Sequence, residues 1–203
     1  MKSEYESANV AIDAVIFTIG EGKLKVFLNE REKEPFYGQY ELPGGLILQK
    51  ESAEETLKRK LKDILSKEVH FMQFHTFTNP DRDPRRRTIS IGFIALMDSD
   101  KIKDKNKWYD IGSLPKIAFD HRLIIEKAKR YLAENIDSNI VRHFMADEFP
   151  LNKLQEIYEA INDKKYDNRN FRKSMIRLGI VKSIGRMEKN VSHRPAELYK
   201  FVK

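Results

Sequence analysis

The chain of 203 residues has no cysteine, a single tryptophan and no run of 18 apolar residues. Without thiols, neither disulfides nor thiolate metal sites can form, which fits a reducing compartment. Without a long apolar run no transmembrane helix is expected, and the N-terminus lacks the basic-then-apolar order of a signal peptide. The expected location is therefore the cytoplasm, with no membrane partner. A chain of this length can hold one large domain or two small ones.

Most of the chain also lacks any excess of charge. Of the 38 Lys and Arg, 13 fall in residues 150–203, against six of the 31 Asp and Glu, so the entire net charge of +7 resides in that segment. A basic module attached to a neutral one is the electrostatic footprint of a domain that meets a phosphate backbone. The alternative of a solvated basic tail conflicts with the segment's periodic apolar residues.

In the neutral part, residues 8–18 form a Val- and Ile-rich run, and residues 23–28 alternate after a Gly20-Glu21-Gly22 turn, which predicts a hairpin with a mostly buried first strand. Further strands are expected over 69–78 and 88–97. The loop between them, Asn79-Pro80-Asp81-Arg82-Asp83-Pro84-Arg85-Arg86-Arg87, is preorganised by its prolines and Asx residues. Four arginines here are unusual in a neutral domain, and guanidinium forks suit diphosphates, so the loop is the candidate phosphate contact, with Arg82, Arg85 and Arg87 singled out; a solvated hairpin loop is the plainer alternative. Asp120 is placed to cap a helix starting at His121, and the adjacent pair is read as a cap and not as a catalytic dyad. Helical periodicity over 121–145, weakly interrupted at Asp137-Ser138-Asn139, predicts two joining helices.

Residues 42–66 carry the most specific pattern. Gly45, Glu51 after five intervening residues and Arg59 after seven more match the opening of a Nudix box, which this stretch resembles. In working Nudix hydrolases a glutamate follows that arginine and two more come three and four residues later, converging on one helical face to hold Mg²⁺ on a pyrophosphate. Here the three positions are Lys60, Asp63 and Ile64, and a later glycine of the box is Ser66. The resemblance therefore implies a Nudix fold that has lost hydrolysis, with no catalytic residue, no resident metal and no cofactor. Ser52 and Glu55 form a capping box, and Leu57, Leu61, Ile64 and Leu65 give the helix an apolar face. Glu51 and Arg59 are expected to be a structural ion pair. The same resemblance makes Arg31, Phe36, Tyr40, Gly44 and Gly45 candidate pocket residues, since a basic residue, an aromatic loop and Pro-Gly-Gly line the nucleotide site there.

In the basic part, an amphipathic helix over 151–161 and a second over 168–178, capped by Asp167 and stopped at Gly179, make a helix-turn-helix. Phe171, Met175 and Leu178 are expected to face the core. Asn168, Arg169, Asn170, Arg172, Lys173 and Arg177 occupy the remaining surface, a mixture suited to base edges and phosphates in a major groove. Strands over 180–184 and 196–202 would frame a basic wing, with Arg186, Lys189, His193 and Arg194 as candidate DNA contacts.

Together with Ala-Phe-Asp-His at 118–121 and His-Arg-Pro-Ala-Glu-Leu-Tyr at 193–199, these features resemble the Nudix-related transcriptional regulators of the NrtR type across nearly the whole chain. The resemblance implies an α+β protein: a Nudix α/β/α sandwich with a mixed sheet over 1–145, then a winged helix-turn-helix domain over 146–203. It implies a homodimer on palindromic operator DNA, answering to ADP-ribose, a related nucleotide of NAD metabolism, or a sugar. The alternatives are a Mg²⁺-dependent hydrolase of ADP-ribose-like diphosphates and a general RNA-binding protein.

Overall fold

The computed structural model describes residues 7–62, 64, 69–97, 99, 102, 104–136, 141–189, 192 and 194–202, with the backbone alone at 143 and 144. Asp63, Leu65, Ser66, the 137–139 interruption and His193 lie outside the described residues. The chain divides into two compact units, Met1–Thr18 with Lys25–Tyr131 and Ile19–Leu24 with Leu132–Lys203. No described helix is long and apolar enough to cross a membrane.

The first unit is built on β1 (Asn9–Gly20), with β2 (Lys23–Phe27) following the tight turn. Residues 11–18 of β1 are all buried, as a strand covered on both faces requires. Next come β3 (Asn29–Glu30), β4 (Tyr40–Glu41), β5 (Gly44–Leu46), α1 (Ala53–Leu61), β6 (Phe71–Phe77), β7 (Thr88–Leu96), β8 (Trp108–Asp110) and α2 (His121–Glu134). The main sheet has the order β6-β7-β1-β2-β8 with β5 on β1, and it is mixed: β7 runs parallel to β1, while β5 is antiparallel to β1 and β6 to β7. On one face, Leu57 and Leu61 of α1 pack with Ile12, Ala14, Ile16, Phe93 and Ala95. Burying a leucine of this kind contributes about 1.5–3 kcal/mol. On the other, α2 reaches β6 through Lys127 on the Phe77 ring and Tyr131 on Phe74.

The capping box forms as expected: Ser52 Oγ accepts from Glu55 N–H, and a Glu55 carboxylate oxygen accepts from Ser52 N–H. α1 ends at Leu61, however, so Ile64 packs on the core from beyond the helix. The second joining helix is not an α-helix; Val141–Phe144 is a short 3₁₀ turn. Further on, the residue before a proline is driven to extended backbone, and Phe149 with Pro150 pairs as strand β9 (Phe149–Pro150).

The second unit holds β9, α3 (Leu151–Asn162), α4 (Asn168–Arg177), β10 (Val181–Met187) and β11 (Glu197–Phe201), with sheet order β10-β11-β9. α3 ends on Asp163 in the left-handed region, φ 49°. The buried amide of Gln155 then locks the turn, donating to Glu159, to the Tyr166 carbonyl and to Asn168 at 2.8–2.9 Å. Asp167 caps α4 by accepting from Asn170 N–H. Phe171 meets Tyr158 edge-on, 5.3 Å between centroids, and Met175 is buried beside it in sequence register. Leu178 departs from expectation: it is 60% exposed, because it sits at the C-cap, where the chain turns away through Gly179 at φ +67°. β10 runs to Met187, three residues past the predicted end, through a register shift between Ser183 and Met187.

The expected clamp at the start of α1 is present. Arg59 donates to both carboxylate oxygens of Glu51 at 2.6 Å, and Thr56 adds a third bond. The Arg59 guanidinium, with Thr56 and the Leu48 amide, pulls Glu51 from 4.5 to about 2. A carboxyl depressed on folding contributes stability that is present above 4.5 and lost as pH falls through about 2. The difference in unfolding free energy between the native chain and Glu51→Gln should therefore be constant above pH 4.5 and shrink towards pH 2, read by denaturant titration across that range.

Candidate functional site

A cavity of about 300 Å³ opens where β1, the Pro-Gly-Gly turn, α1, the arginine loop and the start of α2 converge. Its deepest feature is a charge cluster. Arg82 is only 8% exposed and donates to Asp13 (2.9 Å) and to both carboxylate oxygens of Asp120 (3.0 and 2.8 Å). Burial works against charge on Arg82, but Asp13 and Asp120 outweigh it and its pKa is raised. Asp13 also accepts from Ser90 at 2.7 Å and stands 3.4 Å from His121 Nε2. His121 Nδ1 accepts from Leu42 N–H at 2.9 Å, so the ring carries its proton on Nε2. Asp120 does precede α2, its carbonyl accepting from Ile124 N–H at 3.1 Å, but the carboxylate expected to cap the helix is engaged by Arg82 instead.

The glycines fit by close approach. A Cβ on Gly44 would lie 2.2 Å from the Ile12 carbonyl oxygen, and one on Gly45, whose φ is +149°, would meet Lys60 Cε at 2.6 Å and Nζ at 2.9 Å. The Lys60 ammonium therefore lies directly over the Pro-Gly-Gly turn, and Lys60 lines the cavity.

Arg31 and Arg85 both line the cavity, and each has a carboxylate partner: Arg31 with Glu41 at 2.6 Å, Arg85 with Asp83 at 2.8 Å. Their guanidiniums stand 4.8 and 5.2 Å from the centroid of Phe119, which adopts φ +53°. Phe36 is not in the lining; its ring supports Phe119 at 4.9 Å. Tyr40 and Arg87 point elsewhere. Tyr40 packs against Tyr109 with the rings tilted by 59°, and Arg87 donates to the Thr78 carbonyl at 2.8 Å. Strand alternation explains both placements: Glu41 and not Tyr40, and Arg86 with Thr88 and not Arg87, face the cavity. Asp13, Phe119 and His121 line the cavity without having been expected there, and Arg86, one of the four loop arginines, does so without having been singled out. Alternation into β7 could have found Arg86. No local signal marks the others, whose partners lie far along the chain.

In the second unit Arg169, Asn170, Lys173 and Arg177 are exposed on α4, Lys189 on the wing and Arg194 before β11. Asn168 is also exposed but accepts from Gln155, so it helps to hold the turn. Arg172 pairs with Glu197 and stands 5.6 Å from the Tyr199 ring, and Arg186 pairs with Glu148. Glu197 further accepts from Ser183 and Tyr199 hydroxyls at 2.6 Å, bonds that together with Arg172 lower its pKa. The recognition-like helix is thereby tied to both wing strands.

The NUDIX domain model matches residues 9–128, more than half of the chain, and the model of the NrtR DNA-binding winged helix domain matches residues 141–201. The chain belongs to the NUDIX family and ends in an NrtR-type winged helix. It is 28% identical to the ADPR responsive transcriptional repressor NtrR of Acinetobacter baylyi over 98% of this chain and 84% of that protein. Shewanella oneidensis NrtR bound to a 27mer DNA superposes with a TM-score of 0.78 at 28% identity, covering 95% of this chain and 93% of that one. The NUDIX domain of the same protein, solved with ADP ribose, is 31% identical over 65% of this chain and 93% of its own, TM-score 0.55. An ADP-ribose pyrophosphatase of Methanocaldococcus jannaschii is 34% identical over 60% of this chain and 73% of that enzyme.

Within this NUDIX domain Arg82 is buried while Arg85 and Arg86 of the same loop are exposed, and stability should separate Arg82 from Arg85. Arg82→Met leaves two buried carboxylates uncompensated and should cost about 3–5 kcal/mol, whereas Arg85→Met, where the arginine is half exposed and water can reach the site, should cost about 1 kcal/mol by urea unfolding. Similar losses for both would show that the Arg82 cluster does not hold the cavity together.

Proposed function

We propose that the chain is a ligand-responsive transcriptional regulator whose NUDIX domain senses ADP-ribose, or a closely related nucleotide diphosphate, without hydrolysing it, and whose winged helix binds operator DNA. The carrying observation is the union in one chain of a cationic NUDIX cavity and an NrtR-type winged helix with an exposed basic helix. The Acinetobacter baylyi repressor that it resembles over 84% of that protein's length is ADPR responsive by name. Residues 1–145 form the effector domain and residues 146–203 the DNA-binding domain in this reading, and two copies meet a palindromic operator. Arg31, Gly44, Gly45 and Arg85, with Arg86 and Phe119, face the effector, while Phe36 and Arg82 hold that wall in place. Arg169, Asn170, Arg172, Lys173 and Arg177 enter the groove, and Arg186, Lys189, His193 and Arg194 follow the backbone at its edge.

The rival reading is hydrolysis, favoured by the identity to an archaeal ADP-ribose pyrophosphatase. The donor set of this chain fits it poorly. Among the described residues no group of three or more His, Cys, Asp or Glu could hold a metal ion, and both oxygens of Glu51 are taken by Arg59. Lys60 and Ile64 stand at two positions where the hydrolases of this family carry glutamates.

Two outcomes are expected. A gel shift on the promoter beside the chain's own gene should show a complex whose affinity changes about 5- to 150-fold on adding ADP-ribose. No AMP should form from ADP-ribose and Mg²⁺; turnover that vanishes in Asp63→Ala would establish the hydrolase instead. Separately, Lys173→Ala should weaken operator binding nearly uniformly across sequences and reduce the salt slope by about 1, while calorimetric affinity for ADP-ribose stays unchanged. Equal loss of both would mean that Lys173 acts on the fold and not on DNA.

A further inference from the structure

The cations of the cavity are not equivalent. Arg31, Arg82 and Arg85 are each matched by carboxylates within 2.6–3.0 Å, so their charge is locally neutralised and their donors are partly committed. Lys60 and Arg86 line the same cavity and, among the described residues, neither makes an ion pair. Among the described residues of the lining, these two are the lysine and arginine without a carboxylate partner. Lys60 is held at a defined place: Gly45 has no Cβ, and its Cβ position would fall 2.9 Å from the ammonium nitrogen. The glycine thus makes room for a lysine side chain to lie across the turn and present its charge at the cavity wall.

Position 60 begins the set at which hydrolases of this family place magnesium-binding glutamates, and the residues here do not fit a divalent ion. An ammonium at that place repels a metal ion, and Glu51 is engaged through both oxygens by Arg59. The same ammonium offers three N–H donors and one positive charge, which is the part of a bound cation's role that holds a diphosphate without polarising it for attack.

We propose that Lys60, with Arg86 as the second unmatched cation, is the built-in counter-ion for the effector's diphosphate, so that this cavity binds its ligand without a divalent metal. The inference rests on the reading of the cavity as a site for an ADP-ribose-like diphosphate. It assigns Lys60 a binding role that replaces metal and leaves the phosphoanhydride intact.

The test is calorimetry on the full chain with ADP-ribose, in EDTA and again in excess Mg²⁺, with adenosine as a ligand that carries no phosphate. The native chain should bind ADP-ribose with the same affinity in both buffers. Lys60→Met should weaken ADP-ribose by about 10- to 100-fold, the scale of losing a charged hydrogen bond, and leave any adenosine binding unaltered. Lys60→Arg should restore most of the loss. The side chain is exposed, so the thermal midpoint of Lys60→Met should match the native chain, which separates loss of a contact from loss of fold. Native binding that disappears in EDTA, or a Lys60→Met variant that binds as tightly as the native chain, overturns the inference while leaving ADP-ribose as effector. Failure of ADP-ribose to bind in either buffer removes the effector assignment, and this inference with it.

Discussion

The NUDIX cavity depends on one buried charge cluster. Arg82 comes from the loop between β6 and β7, Asp13 from the centre of β1, Asp120 and His121 from the start of α2, and His121 in turn holds the Leu42 amide at the Pro-Gly-Gly turn. Four segments that share no local sequence are fixed by a guanidinium between two carboxylates. Such a cluster is not a large net source of stability, because desolvating the three charges offsets most of their attraction. Its value is specificity: a guanidinium with its planar donors satisfied on two sides accepts only one arrangement of those segments. Taking Arg82 out of circulation also leaves the cavity's open charge to Lys60 and Arg86.

The second unit solves a related problem with one glutamate. Glu197 on β11 gathers Arg172 from α4, Ser183 from β10 and its own neighbour Tyr199. The Arg172 guanidinium, through Glu197, ties this helix to the wing strands while Arg169, Asn170, Lys173 and Arg177 stay exposed. Gln155 does the same for the turn before α4 by satisfying Glu159, Tyr166 and Asn168 at once. The basic face is therefore presented on a rigid platform, which suits directional contacts to bases better than a mobile basic tail would.

What could be read from the sequence was what local spacing encodes. The box that caps α1, the Glu51–Arg59 clamp, the Asp167 cap, the hairpins and the division of charge all follow from residues within about ten positions of each other, or from periodicity. The misplacements came where one residue's neighbours decide its direction. Arg87 and Tyr40 fell to the wrong side of an alternation that the sequence contained but that needed the strand boundaries, and Leu178 left the core because a C-cap side chain no longer follows helical spacing. Arg82 looked like a ligand contact because a loop arginine between prolines gives no sign of carboxylates 69 and 38 residues away. Phe119 gave no signal either; its positive φ comes from the turn into α2 and brings its ring against two arginines.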